Sequence, residues 1–146
     1  MGLLPGGWDE VQSRLRAAVA SGRPLHDVAG SFGFGLFLVA LPNFGLSLLI
    51  LGVIGYRLDR ADPRAFTAAA LILNPVVKSS VYVASFLLGA ALLGPVPGGF
   101  SGISLEMGRH VLARLVVGNL LIATTFALLG YGLLRYGIEN LQRLSD

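Results

Sequence analysis

Residues 41–45 read Leu41-Pro42-Asn43-Phe44-Gly45. They stand in the middle of Val28–Tyr56, a stretch of 29 residues without a charged side chain. As a single helix that stretch would reach roughly 43 Å at 1.5 Å per residue, well past the ~30 Å hydrocarbon core of a bilayer. Proline removes a backbone donor, asparagine favours turns and glycine tolerates them. The five residues therefore split the stretch into two arms of about a dozen residues each, a length typical of re-entrant segments rather than spans.

The next apolar block repeats this plan. Ala65–Leu73 is one arm, Asn74-Pro75 the break, and Val76–Gly94 the second arm. Pro42 and Pro75 are 33 positions apart, and Leu38-Val39-Ala40-Leu41-Pro42 matches the character of Leu71-Ile72-Leu73-Asn74-Pro75. A glycine follows each proline at a similar distance, Gly55 and Gly89. Paired Gly/Pro-interrupted apolar segments point to a transport site in a membrane. Two Pro-kinked spanning helices are the other reading of the same residues.

The rest of the chain fits a membrane setting. Charged residues make up 13% of the 146 positions and the AVILMFWYC set 54%. A soluble domain of this size exposes too much of its surface to hide so much apolar sequence. Leu115–Leu134 is the one uninterrupted span, within a helix expected over 105–135. Glu106, Arg109, His110 and Arg114 precede that span, and Arg135, Glu139 and Arg143 mark its exit. Met1–Gly7 is a short lead. Residues 8–21 read as an amphipathic helix, with Trp8, Val11, Leu15, Ala18 and Val19 on one face. That helix lies in the membrane interface or caps the bundle. A cleavable signal peptide is not expected, since the first apolar run begins only at Val28. The expected fold is thus all-α: one membrane domain over 1–146, with broken, re-entrant hairpin-like segments at 28–56 and 65–94 plus one full transmembrane helix, in the cell membrane. Hairpin tips need protein cover, which predicts a homo-oligomer, most simply a dimer.

Arginine counting sharpens the topology. Three ordinary spans would place five arginines on each side and give no orientation signal. Two re-entrant hairpins would place Arg14, Arg16, Arg23, Arg57, Arg60, Arg64, Arg109 and Arg114 on one side, against Arg135 and Arg143. Cytoplasmic loops carry an excess of Lys and Arg, so the hairpin reading is preferred. It puts Arg23, Arg57 and Arg109 on the same face.

Several chemistries are excluded. The chain has no cysteine, which removes disulfides, thiol nucleophiles and Cys-ligated metals. The net charge of +3 is spread over several loops and is no nucleic-acid footprint. His26 and His110, with Asp27 and Glu106, show no metal-ligand spacing. No nucleophile–base constellation is present, so no enzyme activity and no cofactor are expected. The closely spaced Gly30, Gly33 and Gly35 read as close helix packing. Asn119, Thr124 and Thr125 read as hydrogen-bonding glue between helices.

Asn74-Pro75-Val76-Val77-Lys78 carries the most chemistry. Asn is a favoured N-cap and Pro a favoured first helical residue, so a helix starts inside the apolar block. The first N–H groups of a helix form a ready anion site. Lys78 is the only lysine in the chain. Asn74, Lys78 and Tyr82 share a face at i, i+4 and i+8. An intramembrane charge is a functional residue by default, unless it snorkels to the interface. Asn43 and Ser47, spaced i, i+4, complete a site if the two breaks meet; otherwise they satisfy backbone groups freed by Pro42. The expected substrate-binding set is Asn74, the Val76 and Val77 amides, Lys78, Asn43, Ser47 and Tyr82.

The Pro42/Gly45 break, the arm to Tyr56, and Asn74-Pro75 followed by Tyr82 and Gly89 resemble the membrane family called domain of unknown function 2062, over roughly 28–94. That pattern often has His or Gln, then Thr, after the first break, where this chain has Ser47 and Leu48. It often has Thr after Asn-Pro, where this chain has Val77 and Lys78. The resemblance implies no established activity. Some relatives are joined to glycosyltransferase domains, which implies work near lipid-linked sugars. The function expected is a small transporter or flippase for an anionic, polyprenyl-phosphate-linked substrate. A non-catalytic scaffold for a glycosyltransferase is the alternative.

Overall fold

The computed structural model describes residues 7–43, 45–99 and 102–145. Phe44 of the first break, residues 1–6 of the lead and residues 100–101 of the later loop lie outside the described residues. The described residues form six helices: α1 (Gly7–Ala20), α2 (Leu25–Ala40), α3 (Leu46–Arg57), α4 (Pro63–Ile72), α5 (Pro75–Leu93) and α6 (Leu105–Ser145). No strand occurs among the described residues, so the all-α expectation holds. α5 and α6 are long and apolar enough to cross a membrane, while α2 and α3 are shorter apolar helices.

Both breaks fall where the sequence puts them, for the same reason. A residue before proline is pushed out of the helical region. Leu41, before Pro42, is extended (φ −64°, ψ 148°), and α2 ends at Ala40. Asn74, before Pro75, is likewise extended (φ −61°, ψ 167°). Gly45 then takes a left-handed φ of 89°, which lets the chain reverse into α3.

α6 is the ruler for the rest. At one end, here the near end, His26 Nδ1 at the start of α2 meets the Tyr131 hydroxyl at 2.7 Å. Farther along, the Asn119 side chain donates to the Ala40 carbonyl at the end of α2. α2 therefore runs antiparallel to α6. α3 returns, with Gly55 beside Pro63 and Phe66 at the start of α4. The connector after α3 is tied to the near end. Arg23 bonds to the Asp59 carbonyl, and its guanidinium lies 3.5 Å from the Asp62 carboxylate. The first interrupted segment is thus a hairpin, as expected.

The second is not, and here the expectation over 65–94 is corrected. α4 runs alongside α2 in the same direction, with Asp62 at Ser31 and Ala69 at Gly35. After the break α5 continues away from the near end. It packs antiparallel on α6, with Ser85 against Gly118, Gly89 against Arg114, and Gly94 reached by the Arg114 side chain. Arg109 is 22 residues before Tyr131 on one continuous helix, which places it roughly 33 Å from the near end. Arg23 and Arg57 share an end; Arg109 does not. The arginine split is still eight to two, but its members change. Arg135 and Arg143 join the near end, and Arg109 and Arg114 stand at the far end.

The core sits where α2, α4 and α6 meet. Val28, Phe32, Leu36, Val39, Phe66 and Leu73 are all buried there. The helix expected over 8–21 forms as α1 and packs on α4, burying Val11 and Ala18, while Trp8 stays 52% exposed. Close approaches rely on glycine: a Cβ on Gly118 would lie 1.7 Å from the Ser85 carbonyl oxygen, and one on Gly89 1.8 Å from that of Arg114.

Candidate functional site at the junction of the two breaks

α5 begins at Asn74 in the manner its sequence dictates. The Asn74 side-chain oxygen accepts hydrogen bonds from the Val76 and Val77 amides, both at 3.1 Å. This cap holds the helix start but also occupies the two amides. The expected anion contact through Val76 and Val77 N–H is therefore corrected: in this conformation both donate to Asn74. The Val76 side chain is 72% exposed and takes no part in the cavity.

The two breaks do meet. The α2–α3 turn lies against the first turns of α5. Asn43 is not on α3, so its pairing with Ser47 does not come from a shared helix face. Its amide donates to the Leu38 carbonyl at 2.6 Å, satisfying the end of α2. Its side-chain oxygen accepts from Lys78 Nζ at 3.4 Å. The Tyr82 hydroxyl donates to the Leu41 carbonyl at 3.3 Å. Lys78 Nζ stands 5.8 Å from the centre of the Tyr82 ring, within cation–π range.

Together these elements line an open pocket of about 430 Å³, with Ser47, Asn74, Lys78, Ser79 and Tyr82 as its polar groups and Val39, Leu48, Ala70, Leu73 and Pro75 as its apolar walls. Ser47 is 1% exposed. Lys78 is half-buried and has no carboxylate partner among the described residues. Three carbonyls at the first break are met within the chain: Leu38 by Asn43, Ala40 by Asn119 and Leu41 by Tyr82.

Two features escaped the sequence reading. Asp62 is 1% exposed and caps α4 by accepting from the Arg64 and Ala65 amides. The Asp-Pro pair at 62–63 is the same signal as Asn-Pro at 74–75, hidden inside a charged connector. Arg114 is 5% exposed and donates to the carbonyls of Leu93, Gly94 and Pro95, closing the end of α5. Nothing in its neighbourhood distinguishes it from the surface Arg109. Asn119 performs the inter-helix role expected of it, but Thr124 and Thr125 bond only to carbonyls of their own helix.

The fold and cavity define an all-helical protein built on two helix breaks that share one open pocket, largely apolar, into which Ser47, Asn74, Lys78, Ser79 and Tyr82 bring polar groups. The chain belongs to the family described as uncharacterized protein conserved in bacteria (DUF2062), whose family model matches residues 11–145. That match extends the resemblance to α1 and α6. No curated protein and no solved structure matched the chain.

Proposed function

We propose that this chain is a multi-pass protein of the cell membrane that binds an anionic lipid of polyprenyl-phosphate type at the cavity between the two breaks, and carries its headgroup across. Lys78 supports this reading most strongly. It is the only lysine, it projects from the first turn of a helix that starts between two apolar segments, and its ammonium lines the cavity without a carboxylate to neutralise it. A charge at that depth is costly unless an anion offsets it. The positive end of the α5 dipole adds to the attraction. Ser47 and the Tyr82 hydroxyl supply neutral polar contacts. The near end, with eight arginines, would face the cytoplasm.

Calorimetric titration of the purified protein with a short-chain, water-soluble prenyl phosphate tests the proposal. Lys78→Met keeps the stem's bulk and removes the charge. Binding by the wild type and a loss of about tenfold or more in the variant, equivalent to ~1.4 kcal/mol, is the expected result. Equal affinity in both proteins overturns it and leaves the scaffold reading.

A further inference from the structure

A second hollow, of about 450 Å³, lies between α3 and α4. Its walls include Gly52, Gly55 and Tyr56 on one side and Pro63, Phe66 and Thr67 on the other. Leu48 and Ala70 line both this hollow and the Lys78 cavity, so the two are consecutive along one seam. The seam follows α3 for roughly 16 Å, from Gly45 to Tyr56 at 1.5 Å per residue. It is open at Gly52, where no atom comes within 4 Å of the place a Cβ would stand.

The two ends differ from the middle. The inner end holds Lys78. At the outer end, Tyr56 and Pro63 are joined by the connector that carries Arg57 and Arg60, both exposed. Of the connector's two carboxylates, Asp62 is spent on Arg23 and the α4 cap, which leaves Asp59. The seam is therefore an apolar groove with Lys78 at its inner end and, just beyond its outer end, a connector that carries two exposed arginines against one exposed aspartate. A polar peptide would leave its backbone unsatisfied there. A neutral lipid would make no use of the charges.

We propose that the α3–α4 groove is the portal by which the lipid reaches Lys78. One hydrocarbon chain lies against Phe66 and Gly52, and the anionic headgroup is first held by the connector arginines at the near end. This rests on the function proposed above for the headgroup's destination. The groove's preference for an anionic single-chain lipid is tested separately.

The test uses the full chain reconstituted in phosphatidylcholine vesicles with a small fraction of a prenyl phosphate carrying a diazirine in its chain. After irradiation, labelled peptides are mapped by mass spectrometry. Label concentrated on Leu48–Tyr56 and Pro63–Ala70, well above that from a phosphatidylcholine probe with the same diazirine, is expected. Gly52→Phe fills the groove from α3 and Thr67→Phe fills it from α4. Each should cut the groove label several-fold with helix content unchanged, and the second variant keeps the test open if the first fails to fold. Lys78→Met should leave the groove label intact, so failure of the deep site and failure of the groove are read apart. Equal labelling by the two probes, or label unchanged in a folded groove-filling variant, overturns the proposal.

Discussion

Asn119 Nδ2 stands 3.0 Å from the carbonyl oxygen of Ala40, the last residue of α2, and 3.2 Å from the Ser85 hydroxyl on α5. One fully buried amide thus ties the hairpin to both long helices. Ser85 keeps a partner without it, through its own bond to the Val81 carbonyl. The Ala40 carbonyl does not, because the helix stops before an N–H arrives to meet it. Asn119→Ala should therefore destabilise the protein by about 1–2 kcal/mol, seen as a lower Tm by circular dichroism in detergent. An unchanged Tm would show that Asn119 is not the tie.

The crossing of α5 and α6 makes a sharper prediction. Gly118→Ala forces a methyl into the Ser85 carbonyl, backbone against backbone, where no side chain can give way. A loss of about 1–3 kcal/mol or more is expected. Gly132 lies on the same helix with nothing within 4 Å of its would-be Cβ. Gly132→Ala should instead stabilise by roughly 0.5–1 kcal/mol, the helix preference of alanine over glycine. Two glycines of one helix should then shift Tm in opposite directions.

Asp62 performs two tasks that substitution separates. Asp62→Asn keeps an oxygen to cap the Arg64 and Ala65 amides but removes the charge facing Arg23. Asp62→Ala removes both. The alanine variant should lose the cap's worth of about 0.5–2 kcal/mol beyond whatever the asparagine variant loses. Equal Tm values for the two variants would show that the cap contributes nothing.

The chain has no cysteine, so single cysteines report topology cleanly. In oriented vesicles, Arg57→Cys should react with an impermeant maleimide from the same side as Arg23→Cys, and Arg109→Cys from the other. Reaction of all three from one side would contradict the path of α5.

How much of this was readable from residues follows from what each signal encodes. Pro42 and Asn74-Pro75 mark where helices stop and start, because proline acts on its immediate neighbours, and both breaks and the Asn74 cap were legible. The meeting of Lys78 and Tyr82 with Asn43 and Ser47 was open in the sequence, because i, i+4 spacing within each segment does not say that the two breaks touch. The direction in which the chain leaves a break is not local information. It is decided by Gly89 and Gly118, 29 positions apart, which let α5 lie against α6. Arginine counting could not supply it, because two different foldings divide the ten arginines eight to two. The Val76 and Val77 amides were misjudged for a similar reason: the residue that starts the helix also consumes its first donors.

The hairpin stops short. Its tip lies level with Asn119, and α6 begins 14 residues earlier, so roughly 21 Å of α6 runs on beyond the tip with α5 beside it. The near half of the molecule holds parts of all six helices; the far half holds two. Two helices that run on past the hairpin keep most of their surface uncovered, so whatever surrounds the far half meets α5 and α6 directly.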